Sequence, residues 1–232
     1  MSKEIPLATF VKTPEFSAVK TRLASETSQH FAETVYDLCL SVLTEKLALI
    51  AKQTNYTPIW AVAELEGVKD ERWDNFPTVF QGVGDLGERL SCVYGWGMKA
   101  FGKIAIIGSD SPQIPLDVFI KAEKELNEAK GPHFVFGPAY DGGFYFVAGN
   151  KELKENVWLD IPYSSGNAGE KLLEKLRREG AVTLLPTIRD LDTVLDLYHV
   201  LDELEKEEIN SKGNLKSLLA ELRTKAISMV GN

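Results

Sequence analysis

Residues 103–112 read Lys103-Ile104-Ala105-Ile106-Ile107-Gly108-Ser109-Asp110-Ser111-Pro112. A short apolar run bounded by turn residues is the pattern of a strand buried on both faces. Such strands belong to parallel sheets covered by helices. An aspartate follows at the point where the strand must leave the core. The stretch therefore carries one expectation about architecture and another about chemistry.

Working outward, similar apolar runs occur at 5–11 (IPLATFV), 58–63 (PIWAVA), 133–137, 144–148 and 181–185, with a short candidate strand at Thr78–Phe80. Between them lie amphipathic segments that predict helices over 29–52, 86–101, 115–129 and 167–179, then a final pair over 193–208 and 214–229. Residues 12–28 read as a polar loop. In helix 29–52, Phe31, Val35, Leu38, Val42 and Leu49 share a face at helical spacing, with Cys39 beside them. The alternation of strand and helix predicts an α/β sandwich of three layers with a mostly parallel sheet. Runs 133–137 and 144–148 are too close for a helical crossover, so at least one strand must be antiparallel. No linker or repeat interrupts the series. The expectation is one domain over 1–232, with the helical pair at about 193–229 packed on it and a homo-oligomer contact as the alternative use of that pair.

Composition bounds the function. The chain has 232 residues, 44% hydrophobic and 26% charged, which is normal for a globular protein. Its 26 Lys and Arg against 34 Asp and Glu give a net charge of −8, unfavourable for general binding to nucleic acid or membrane surfaces. Two cysteines, Cys39 and Cys92, with no CxxC, argue against a disulfide scaffold or cysteine-rich zinc site and fit a reducing cytosol. No apolar stretch approaches the ~20 residues of a membrane span, and the N-terminal run is too short for a signal peptide. The expected setting is cytoplasmic. His30, His133 and His199 form no ligand spacing and read as structural.

Open α/β sheets bind ligands beyond the carboxyl ends of their strands. Four polar motifs fall there. After the first strand come Lys12, Lys20, Thr21 and Arg22, a cationic group suited to phosphate but without the glycine pattern of a P-loop. Gln81-Gly82-Val83-Gly84-Asp85-Leu86-Gly87-Glu88-Arg89 combines glycines that admit a ligand with Asp85 as a helix cap, and Arg89 lies one turn into that helix. Gly108-Ser109-Asp110 places an acid where a hard cation is held between protein and phosphates. Gly137-Pro138-Ala139-Tyr140-Asp141-Gly142-Gly143 is first a hairpin turn. The further expectation is that Asp141 points into the cleft near Asp110, as second metal carboxylate or as base. A fifth stretch, Ile188-Arg189-Asp190-Leu191-Asp192-Thr193, reads as structural, with Asp192 or Thr193 capping the next helix. Asp190 or Asp192 facing the site is the minority reading.

The ordered series F-x-K-x-P, V-K-T-R-L, G-D-L-G-E-R, G-S-D-S-P, G-P-A-x-D-G-G and D-x-D-T, from Phe10 to about Asp196, resembles a prokaryotic family of nucleotide-diphospho-sugar transferase-like proteins. The V-K-T-R-L and S-D-S-P loops resemble, more distantly, those of phospholactate guanylyltransferase and molybdenum-cofactor guanylyltransferase. The resemblance implies a GT-A fold with Lys20 and Arg22 at phosphates, Gly84, Asp85 and Gly87 near the nucleotide, and Asp110 on a divalent metal, Mg2+ or Mn2+. Lys12, Thr21, Arg89 and Ser109 complete the candidate nucleotide set, and Lys20, Arg22 and Asp141 the catalytic one. The implied activity is glycosyl transfer from a nucleotide-diphospho-sugar to an unidentified small-molecule acceptor. The alternatives are nucleotidyl transfer with pyrophosphate release, and a sensor that binds nucleotide without turnover. Two departures bear on this. Ser17 stands where the family usually has glycine, implying a looser first loop. Asp110-Ser111-Pro112 is not the Asp-x-Asp of many glycosyltransferases.

Overall fold

A computed structural model of the chain describes residues 4–206, 220, 222–224 and 227–228. Seven strands form one sheet: β1 (Ile5–Val11), β2 (Tyr56–Val62), β3 (Thr78–Phe80), β4 (Ile104–Gly108), β5 (His133–Pro138), β6 (Phe144–Gly149) and β7 (Ala181–Leu184). The helices are α1 (Thr21–Glu26), α2 (Gln29–Gln53), α3 (Leu86–Phe101), α4 (Leu116–Glu128), α5 (Asn156–Leu159), α6 (Ala168–Glu179) and α7 (Val194–Lys206). The strand order is β3-β2-β1-β4-β6-β5-β7. Among the described residues β6 alone runs against its neighbours, pairing antiparallel with β4 and β5. The closely spaced pair thus supplies the reversed strand that its short connection demands.

The sheet is covered on both faces because successive side chains point to opposite sides. One face turns Leu7, Trp60, Ile107, Val135 and Phe146 toward α2 and α4. The other turns Ala8, Ala61, Ile106, Phe136 and Val147 toward α3, α5 and α6. The continuous apolar runs of the central strands follow from this double burial. α2 is long enough to use two faces. Tyr36, Leu40, Leu43 and Leu47 meet the sheet, while Val35, Leu38, Cys39 and Val42 meet Leu197, Val200, Leu201 and Leu204 of α7. Helix 193–208 is therefore present and packed on the domain. The expected helix 214–229 lies largely outside the described residues.

The structure departs from the sequence reading in places where the helical signal is shortest. The polar segment 12–28 contains α1, six residues whose buried contact is Leu23. α5 and two 3-10 turns at Glu66–Lys69 and Glu71–Trp73 lie in stretches to which the sequence reading gives no element. Each is too short to show a period.

Two glycines give a test of the hairpin that borders the carboxyl edge. Gly142 has φ +87°, and a Cβ there would lie 1.7 Å from the Gly166 carbonyl oxygen. Gly95, within α3, has open space around it. Gly142→Ala should lose about 2 kcal/mol or more in chemical denaturation, since it combines strain with a backbone clash. Gly95→Ala should gain about 0.5–1 kcal/mol through helix propensity.

Candidate functional site

At the carboxyl edge of the sheet a cleft of about 540 Å3 opens between the loops after β1, β3, β4 and the β5–β6 hairpin. Its floor is an ion pair. Lys20 Nζ donates to Asp110 Oδ1 and, at 2.8 Å, to the Leu191 carbonyl. The Lys20 side chain is 1% exposed and that of Asp110 49%. Burial is the largest single influence and disfavours the ammonium, but Asp110, Cys39 and Asp192 together hold the Lys20 pKa above the ordinary lysine value. Lys20 also has φ 48°, the one non-glycine left-handed residue described, at the N-cap of α1. A lysine there carries backbone strain, which the bonds of its ammonium to Asp110 and Leu191 O offset.

The neighbouring walls are set by backbone carbonyls and hydroxyls. The buried Gln81 carboxamide donates to the Val11 and Ala61 carbonyls, tying the exits of β1 and β2. The Tyr36 hydroxyl receives the Lys12 N–H and donates to the Lys12 carbonyl, fixing the turn after β1. Burial pushes the Tyr36 phenol above its usual range. Sequence reading missed Tyr36 because it lies on an apolar helix face and resembles core.

A strap over residues 185–193 closes the far end. Leu185 N–H bonds to the Phe136 carbonyl, Ile188 N–H to Pro138, and Leu191 N–H to the Asp110 carbonyl at 2.8 Å. The Gln113 carboxamide donates to Arg189 O, and Tyr145 Oη to Pro186 O. The strap is therefore fixed from both β4 and the β5–β6 hairpin. It delivers Asp190 to the cleft, where its Oδ1 accepts from Ser111 Oγ. Burial, only partly countered by the Ser111 hydroxyl, and the carboxylates of Asp110, Asp141 and Asp192 push Asp190 up to about 7. Burial and Asp110 also raise Asp192.

Of the residues named from sequence, Lys12, Lys20, Arg89, Ser109, Asp110 and Asp141 line the cleft. Thr21, Arg22, Gly84, Asp85 and Gly87 do not. Arg22 is 65% exposed and pairs with Asp192. Asp85 and Glu88 form a reciprocal capping box at the start of α3. Gly87 has a packing reason, since a Cβ there would lie 2.9 Å from the Trp158 carbonyl. Arg89 donates Nε–H to Gly84 O, bracing the same turn. Asp141 Oδ1 accepts the Gly143 N–H within the hairpin. Thr193, with Asp196, caps α7. His133 bonds Thr183, and Cys39 is buried.

Among the described residues no three His, Cys, Asp or Glu side chains form a metal-holding group. Magnesium in phosphate chemistry commonly uses only one or two carboxylates with the substrate's oxygens. Asp110 fits that need, being half exposed to the cleft with one oxygen on Lys20.

The Asp190 environment predicts a pH signature. Between the ordinary value near 4 and about 7, the folded protein holds a proton that the unfolded chain releases. This group's contribution to stability therefore falls as pH rises through that window. Relative to native, Asp190→Asn should gain roughly 2–4 kcal/mol in unfolding free energy between pH 4 and pH 8. Urea titrations at both pH values measure it, and a pH-independent difference contradicts the assignment.

Comparison with known proteins follows the same fold. A Desulfovibrio desulfuricans G20 protein provisionally named a nucleotide-diphospho-sugar transferase is 26% identical, with a TM-score of 0.82 and 99% coverage of both chains. A cytidylyltransferase from Leptospira borgpetersenii is 16% identical, with a TM-score of 0.56, covering 100% of this chain and 98% of that one. A nucleotidyl transferase from Methanothermobacter is 13% identical, with a TM-score of 0.54, covering 89% and 100%. The latter two show likeness of fold alone. No curated protein sequence matches. The family described as "uncharacterized protein conserved in bacteria", DUF2064, matches residues 45–165, a span that includes Asp110 and Asp141. With that match over just more than half of its length, the chain belongs to the DUF2064 family.

Proposed function

We propose that this chain is a nucleotide-dependent transferase, and that its donor is a nucleotide-diphospho-sugar held over the Lys20–Asp110 pair. The observation that carries the reading is the position of that pair, on the floor of a cleft at the carboxyl edge of an α/β sheet. The whole-length likeness to the Desulfovibrio protein supports the donor class. The cleft volume of about 540 Å3 suits a ligand of nucleotide size.

In this reading Lys12 and Lys20 face the diphosphate. The Lys20 ammonium, already fixed and largely desolvated, stabilises charge that builds on the leaving phosphate without reorganising. Asp110 keeps that ammonium charged and offers its other oxygen to a divalent cation. Such a cation, when bound, would neutralise diphosphate charge. Gln81 and Tyr36 hold the strand exits rigid, so the phosphate donors keep their places.

Nucleotidyl transfer is the second reading. It is favoured by the basic residues directly after β1, which suit a triphosphate, and it accords with the fold shared with the cytidylyltransferase. There a substrate phosphate attacks the α-phosphorus and pyrophosphate leaves.

A thermal-shift panel of nucleoside diphosphates, triphosphates and nucleotide sugars, with and without magnesium, tests both. A bound nucleotide at a hundredfold excess over its Kd should add about 2.7 kcal/mol. Lys20→Met should remove that gain. Product analysis then separates the chemistries: nucleoside diphosphate marks glycosyl transfer and pyrophosphate marks nucleotidyl transfer. No stabilisation by any member of the panel would overturn the reading.

A further inference from the structure

The cleft is divided by charge along the sheet edge. In the strand order β3-β2-β1-β4-β6-β5-β7, Gln81 and Lys12 stand at the exits of β3 and β1. Asp110 stands at β4, Asp141 in the β5–β6 hairpin, and Asp190 and Asp192 on the strap after β7. The Lys20 ammonium marks the border.

On the acidic flank the cations are already engaged. Lys20, at the border, serves the donor's diphosphate in the reading above, Arg22 is taken by Asp192, and Arg189 by Asp196 and the Tyr140 ring. We propose that this flank binds the acceptor, that the acceptor is a neutral hydroxyl-bearing molecule, and that Asp190 takes the proton from its attacking hydroxyl. The proposal rests on the nucleotide-transferase reading and selects glycosyl transfer within it.

Two arguments converge. Of the cations lining the cleft, Lys12 and Arg89 stand on the β1 and β3 side and Lys20 at the border, so a phosphorylated acceptor on this flank would meet Asp141 and Asp190 with no further lining cation. Like charges brought together in a partly desolvated site repel strongly. A phosphate nucleophile is also already anionic and needs no base, whereas a hydroxyl does. Asp190 is placed for that task. It lines the cleft, is oriented by Ser111 Oγ on one oxygen, and is held by a strap bonded to β5 and to Asp110. The groups facing it are Asp110 and Ser111 from the β4 loop, Asp141 and Tyr145 from the hairpin, and Asp192 from its own strap. Burial and these acids together raise its basicity toward neutrality, the range in which a general base works well. Asp141 is less suited, because Oδ1 serves the Gly143 N–H in the turn.

The step balances as follows. The acceptor oxygen bonds to the anomeric carbon, and the bond from that carbon to the diphosphate oxygen breaks. The nucleoside diphosphate leaves with the electron pair, and the hydroxyl proton passes to the Asp190 carboxylate. Configuration at the anomeric carbon inverts.

The test uses the full chain and whichever nucleotide sugar stabilises it, with water as the simplest neutral acceptor, then glycerol and glucose against glycerol 1-phosphate and glucose 6-phosphate. Nucleoside diphosphate release should rise with pH through about 7. Asp190→Asn should bind the donor normally but release product about 10²–10³-fold more slowly and without that limb. Ser111→Ala should move the limb to higher pH, because the lost hydroxyl had favoured the charged carboxylate. Asp190→Glu should restore part of the rate. Release by Asp190→Asn within threefold of native, or consumption of the phosphorylated acceptors alone, overturns the proposal. Donor binding with no release at any pH also overturns it while leaving the nucleotide reading intact. Failure of every nucleotide sugar to bind is the separate failure of that reading.

Discussion

A single buried ammonium governs the geometry of this protein's cleft. Lys20 sits in a left-handed conformation, fully desolvated at its head, and bonds one carboxylate and one carbonyl. Those partners come from the β4 loop and from the strap after β7, 90 and 171 residues away in sequence. Three loops from distant parts of the chain are thereby fixed at one point. Buried ion pairs contribute modestly to stability once desolvation is counted. A strained lysine in such a pair is better understood as a device for placing charge. The sheet order makes it feasible, since β1 and β4 are neighbours and their exits lie side by side.

The same topology sorts the charges of the cleft. Motifs that follow β1 and β3 bring amides and cations to one flank. The β5–β6 hairpin and the strap bring acids to the other. An overall charge of −8 is thus compatible with anion binding, because the few cations that matter are gathered at one strand exit. Burial, with neighbouring carboxylates adding to it, raises the pKa values of Asp190 and Asp192, and carries the more enclosed Asp190 to about 7. A cleft with a fixed cation on its floor and a carboxyl of raised pKa on its wall has a polarity that suits the proposed transfer from a charged donor to an uncharged acceptor.

Much of this was legible from sequence. KIAIIG and IPLATFV announce doubly buried strands, and the close spacing of 133–137 and 144–148 requires a reversed strand, which β6 provides. Asp110 stands out because it closely follows such a strand, and Lys20 because it lies in the cationic loop after another. Arg22 looked equivalent to Lys20, but two residues further along α1 its side chain turns outward to Asp192. Asp85 and Gly87 looked like ligand-facing residues, yet a capping box and the approach of Trp158 account for them. Asp190 facing the site is only the minority reading of the sequence, for a different reason. Its place depends on the strap's backbone hydrogen bonds to Phe136, Pro138 and Asp110, and pairings across such separations leave no local period to read. Gln81 and Tyr36 were obscured likewise, since a carboxamide or phenol that ties backbone carbonyls is indistinguishable in sequence from a polar loop residue or a core aromatic.

The most direct measurement of the central claim is a crystal structure of the full chain with a nucleoside diphosphate and magnesium. The account predicts the diphosphate within hydrogen-bond reach of Lys20, its cation on Asp110, and Asp190 open to the acceptor side. A diphosphate bound anywhere other than over the Lys20–Asp110 pair would contradict it.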